Sequence, residues 1–222
     1  MADYVLVHGA WDSARRYEQL AGDLRAAGHG VAVVHLAGLG SRKGELHGGI
    51  TLSDHADDVC AAVEAAGFDR FVLVGHSYGG MVITMVATRL GGQIDALVYL
   101  DAFLPGDGQS LWDITGPFEH AHYIDSQKFT PGLVAPIMGT DPGRPRHPLL
   151  TLTEAVRFTG EEARVGRRVY VWATGWSPSP FGKFADVARH DPAWEYHEVA
   201  TSHYVMNDQP EATLAILLGC AA

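Results

Sequence analysis

The 222-residue chain is short of positive charge, of lysine and of cysteine. Sixteen Lys and Arg stand against 26 Asp and Glu, giving a formal net charge of -10. That balance disfavours nucleic acid as a partner, because phosphate binding needs a basic face. The small clusters Arg144/Arg146 and Arg167-Arg168 read as solvated surface or local ion pairs. The two cysteines, Cys60 and Cys220, share no CxxC or metal-type spacing, so no disulfide framework is expected. Cys60 falls in a helical pattern and reads as a small core residue. His120 and His122 form a pair without a third ligand at a defined spacing, so no metal site is expected. The sequence has no run of about 18 apolar residues, which excludes a membrane-spanning helix. The opening MADYVLVHGA carries no basic leader and does not read as a signal peptide. The resulting expectation is a cytoplasmic protein with no membrane partner.

Hydrophobic residues are plentiful, at 47%, and the length suits one domain over residues 1–222. Short apolar runs alternate with helical patterns. YVLV (4–7), VAVVHL (31–36), RFVLVG (70–75), DALVYL (95–100), RRVYVWA (167–173) and WEYHEV (194–199) read as strands. Helices are expected over 13–27, 51–67, 79–90, 181–189 and 208–218, the second capped by Thr51 or Ser53 and stopped by Gly67. Strands that are apolar throughout and separated by helices argue for a parallel sheet covered on both faces. The fold class is therefore α/β, a doubly wound sheet of about six mostly parallel strands.

Residues 103–165 break this rhythm. Prolines recur there, and apolar side chains including Trp112, Phe118, Tyr123, Phe129, Leu133, Ile137 and Met138 are scattered through the segment. A connection this long inside a compact domain is usually functional, and it reads as a lid or cap.

Chemistry concentrates at Gly75-His76-Ser77-Tyr78-Gly79. A G-x-S-x-G string between a strand and a helix is a nucleophile elbow, which holds the serine in a strained turn above the sheet edge. The helix N-terminus beyond it favours developing negative charge. A serine hydroxyl needs a base to take its proton. Of the 12 histidines, His203 is chosen by position, because it follows the last strand and precedes the terminal helix. His76, next to the serine, reads as structural.

The acid is harder to assign. Many folds of this type place it after the second-last strand, but the loop ATGWSPSPFGKFAD offers no carboxylate before Asp186. Asp101, in YLDAF at the C-terminal end of the strand after the nucleophile helix, is favoured instead, with Asp107 next. An oxyanion hole is expected from the backbone N–H groups of Tyr78 and Ala10, on a loop shaped by His8-Gly9. Trp11 and Asp12 either line the mouth of the site or lie exposed.

VLVHGAW, LVGHSYGGMVIT, LVYLDAFLPGDGQS and SPSPF together resemble bacterial α/β-hydrolases of the esterase and hydroxynitrile-lyase-like group, with plant methyl esterases as more distant relatives. The resemblance implies the α/β-hydrolase fold, Ser77 as nucleophile and His203 as base, and YLDAFLP is the family segment that matches Asp101. It implies a cofactor-free serine hydrolase (esterase, lactonase or thioesterase) acting on a small apolar acyl substrate. Trp11, Trp112, Phe118, Tyr123 and Phe129 are the candidate substrate contacts. The alternative is a biosynthetic cyclase or a lyase with His203 as general base. Lyases of this group use a lysine near the base, and only Lys128 and Lys183 lie within reach of a site loop.

Overall fold

The computed structural model describes residues 1–137 and 144–221. Met138 and Pro142 of the long excursion lie outside the described residues. The chain begins with β1 (Asp3–Val7), a 3-10 turn (Ala14–Tyr17), α1 (Glu18–Ala26), β2 (Gly30–Val33), α2 (Leu52–Ala66), β3 (Phe71–His76), α3 (Gly79–Leu90) and β4 (Ile94–Leu100). The excursion follows, with α4 (Leu111–Ile114), α5 (Pro117–Gln127), β5 (Leu133–Val134), β6 (His147–Pro148) and α6 (Leu150–Thr153). The chain ends with β7 (Arg167–Ala173), α7 (Gly182–His190), β8 (Glu195–Val199), α8 (Val205–Asp208) and α9 (Pro210–Gly219).

Six strands form one parallel sheet in the order β2-β1-β3-β4-β7-β8, and β5 and β6 form a separate antiparallel ribbon. The unbroken apolar runs have a direct cause. In β1, Val5 and Val7 point into the core under α2 and α3, while Tyr4 and Leu6 point into the core under α1 and α9. Both faces are buried, so neither can be polar. Helix α2 starts where its sequence predicts: Thr51 and Asp54 form a reciprocal capping box, and Gly67 ends it at φ 68.

Three elements differ from the sequence reading. The second strand stops at Val33. The Val34 N–H still reaches Leu6 O at 3.0 Å, and the edge chain then turns away, with the Ala37 N–H held by Asp58 at 2.7 Å. The first helix begins as a 3-10 turn. The terminal helix is broken at Gln209, because Pro210 has no N–H to continue the preceding turn. Cys60 is half-buried, and Cys220 is buried against the end of α9.

Candidate active site

The C-terminal ends of β1, β3, β4, β7 and β8 bring five loops together. Ser77 sits directly after β3 at φ 55, in the left-handed region that side chains other than glycine rarely adopt. Backbone bonds on both sides hold it there: its N–H reaches Leu100 O at 3.4 Å, and its carbonyl accepts from Gly80 at 3.0 Å and from Phe103 at 3.1 Å. The turn needs close approach. A Cβ on Gly80 would stand 2.0 Å from Phe103 O, and one on Gly9 would stand 3.0 Å from Ser77 Cβ. Ser77 is half-buried.

Asp101 directly follows β4 at φ 43, which a short polar side chain tolerates best after glycine. Its side chain is fully buried. His203 Nδ1–H donates to Asp101 Oδ2 at 2.8 Å. The Trp176 indole N–H donates to the same oxygen at 3.0 Å, and the Ala173 N–H reaches Oδ1 at 3.3 Å. Burial raises the Asp101 carboxyl above its ordinary range, while the Ala173 and Trp176 donors pull it back. Burial also lowers His203, favouring the neutral ring. The Phe181 ring stacks on His203 at 5.0 Å with the planes 8° apart, and Trp176 packs beside it at 5.2 Å. Among the described residues, no hydrogen bond joins Ser77 Oγ to His203. Such contacts are often loose before a substrate arrives.

His76 is buried, and its Nε2–H donates to the His203 carbonyl at 2.8 Å. The two rings lie 4.3 Å apart, and burial pushes His76 down to about 3. Asp107 is exposed and accepts from the Phe158 N–H at 2.8 Å; Asp186 is exposed on α7. Among the described residues, neither the Ala10 nor the Tyr78 N–H meets an acceptor.

Trp11 and Asp12 are both buried. Trp11 has φ 55, and its indole N–H donates to Val134 O at 3.0 Å, which ties the loop after β1 to the excursion. Tyr123 packs in the core, and Trp112 stacks on His120 at 3.9 Å. Phe118 and Phe129 face solvent, with exposures of 53% and 80%. They lie on the outside of the excursion and line neither of the two main cavities. His120 and His122 each donate to a backbone carbonyl, Trp112 O and Ala135 O, both at 2.8 Å. Lys128 pairs with Asp125 at 2.7 Å, and Lys183 donates to Ile114 O.

A second group of histidines comes together here; of these the sequence pointed only to His8, as shaping the loop after β1. His8, His55 and His147 are buried near Trp11 and Tyr78. His147 lies 5.4 Å from Trp11 and 4.7 Å from Tyr78, ring to ring. His55 Nε2–H donates to Ala37 O, leaving Nδ1 to accept the Tyr78 hydroxyl at 2.9 Å. His8 Nε2 and His147 Nδ1 have no partner among the described residues. Burial pushes His8 down to about 4 and lowers His147 as well.

Residues 4–216 match the alpha/beta hydrolase family model. The chain is 38% identical, over 234 aligned positions, to a carbendazim-hydrolysing esterase of Nocardioides sp. (strain SG-4G), covering 95% of this chain and 96% of that protein. It is 35% identical to salicylic acid-binding protein 2 of Nicotiana tabacum over 103 residues, a match spanning 46% of this chain and 40% of the plant protein. Among solved structures it is similar to an extracellular alpha/beta-hydrolase from a Paenibacillus species, with a TM-score of 0.84, 21% identity and coverage of 100% and 99%. A pyrethroid hydrolase from Sphingobium faniae JZ-2 follows at a TM-score of 0.80, 19% identity and coverage of 99% and 97%. At those identities the two structures speak for the fold alone. The fold, the elbow and the whole-length match agree: the chain belongs to the alpha/beta hydrolase family.

Proposed function

We propose that the protein is a carboxylic ester hydrolase that works through an acyl-enzyme on Ser77, with His203 as base and Asp101 as acid. The observation that carries this reading is the 2.8 Å bond from His203 Nδ1 to the buried Asp101, on loops adjoining the strained Ser77 turn. Asp101 fixes the tautomer of His203, so Nε2 is left as the proton acceptor. Ser77 Oγ attacks the ester carbonyl carbon as its proton passes to His203 Nε2. The carbonyl oxygen becomes an oxyanion and accepts from the Ala10 and Tyr78 N–H groups. Collapse expels the alcohol, which takes the proton from His203. Water, deprotonated by the same ring, then attacks the acyl carbon; the adduct breaks at the Ser77 Oγ bond, Oγ takes the proton back from His203, and the carboxylic acid leaves.

The substrate class follows less directly. A relative matched over 96% of its length is named a carbendazim-hydrolysing esterase, which favours a small ester here. Residues 103–165 act as a lid in this reading, supported by the bond from Trp11 to Val134 O. The test is hydrolysis of short 4-nitrophenyl esters by the protein and by Ser77→Ala. The variant should lose at least about a thousandfold in kcat, and a fluorophosphonate should add to Ser77 only in the parent protein. Full activity in Ser77→Ala would end the acyl-enzyme reading.

A further inference from the structure

A cavity of about 940 Å³ opens beside the loop after β1, and its charge is opposite to that of the chain as a whole. Arg15, Arg16, Lys43 and Arg144 line it, against Asp12 and Glu18, in a protein of net charge -10. Among the described residues, the carboxylates that line the cavity do not neutralise this group. Asp12 is gripped by Arg16, from Nε at 3.0 Å and Nη2 at 3.3 Å, and among the described residues the same carboxylate pairs with Arg144, at 3.9 Å. One negative charge is thus shared by two guanidiniums. Glu18 lies 3.7 Å from Arg15, on exposed side chains. Lys43 is exposed at the rim and has no ion-pair partner among the described residues. The Arg144 side chain is only 18% exposed, so its charge is partly withdrawn from water. The local ion pair expected for Arg144 is present, to Asp12 at 3.9 Å, and Arg144 also lines the cavity.

The cavity adjoins the proposed catalytic groups. It is lined by Trp11, the residue after Ala10. The Arg16 guanidinium lies 4.2 Å over the Tyr204 ring, and that of Arg144 lies 5.8 Å from it. Tyr204 follows His203, with 5.5 Å between the rings. Burial is the main cause of the lowered His203; Asp12 opposes it, and Arg144 and Arg16 add to it more weakly.

We propose that this cavity binds a carboxylate on the ester substrate itself, with Arg144 as the principal partner and Lys43 at the rim. A guanidinium suits the task because its fork matches a carboxylate geometrically. The inference rests on the ester-hydrolase reading and narrows it to esters that carry a second, anionic group.

Two matched pairs test it and identify which part of the ester carries the charge. Mono-4-nitrophenyl glutarate against 4-nitrophenyl valerate places the charge on the acyl part. 4-Acetoxybenzoate against its methyl ester places it on the alcohol part. In one pair the anion should be preferred by about tenfold or more in kcat/KM, the size of one charge-assisted hydrogen bond. That ratio should collapse towards one in Arg144→Gln/Lys43→Gln and survive in part in Arg144→Lys. No preference in either pair, or a ratio unchanged in the double variant, overturns the inference while leaving ester hydrolysis intact. If no ester is turned over, the ester-hydrolase reading falls separately. Calorimetric titration of glutarate then decides the cavity: binding weakened about tenfold in the double variant supports it, and absent or unchanged binding overturns it.

Discussion

Two groups of histidines surround the serine elbow, and they differ in one respect. His203 faces a buried carboxylate, Asp101, and His76 props it from behind through its carbonyl. His8, His55 and His147 are just as buried but, among the described residues, bond only to carbonyls and hydroxyls. Burial alone keeps an imidazole neutral, because charging it would sacrifice solvation. A carboxylate on one nitrogen makes the ring useful, since it stabilises the imidazolium that forms during proton transfer. By this criterion only His203 is suited to chemistry; His76 supports it, and the second group serves packing around Trp11 and Tyr78.

The largest expected effect comes from removing that difference. Asp101→Asn should lower kcat by about 10³ to 10⁴, whereas Asp107→Asn should leave it within twofold. Steady-state rates on one ester check both, and a nearly unchanged Asp101→Asn rate would move the acid elsewhere.

The next effect belongs to the buried neutral rings. His8 and His76 are held at about 4 and about 3, and His147 is lowered too. Their folded values lie below the unfolded one of about 6.5. Below that pH the unfolded chain takes up protons that the fold refuses, so stability is complete above about 6.5 and is lost as pH falls towards 4. Each ring contributes on the order of 1 kcal/mol per pH unit in that window. The midpoint of thermal unfolding should fall by on the order of 10 °C between pH 7 and pH 5. His147→Gln should flatten the slope, and a level midpoint across that range would contradict this account.

The smallest expected effect sharpens the role of the carboxylate. Trp176 donates to the oxygen of Asp101 that His203 also uses, so it is a positioning residue. Trp176→Phe keeps the bulk but loses the donor, and should cost about tenfold in kcat with little change in KM. Trp176→His, which restores a ring N–H, should recover part of the loss. Equal rates in the two variants would reduce Trp176 to packing.

Most of the architecture was legible from letters. The inner strands β1, β3, β4 and β7 are largely buried and read as apolar runs, and Thr51 and Gly67 mark the ends of α2 by local chemistry. Chain order pointed to Ser77 and His203, and the missing carboxylate after YVWATG pointed to Asp101. The same loop also supplies Trp176 and Phe181, which meet Asp101 and His203 in space; Phe181 closes the SPSPF segment of the resemblance, but neither was expected at the site. The excursion was the least legible region. Phe118 and Phe129 looked like substrate contacts, yet they face outward, while Trp11 reaches into the excursion to bond Val134.

What the sequence determined by itself was local: which runs are buried, where helices begin and stop, and which turn strains a serine. These depend on residues a few positions apart. Only the tertiary structure decided which histidine meets a carboxylate, which aromatics face water, and that Arg16 and Arg144 share one Asp12. Those outcomes depend on the direction of side chains brought together from distant positions, and neither periodicity nor composition records direction.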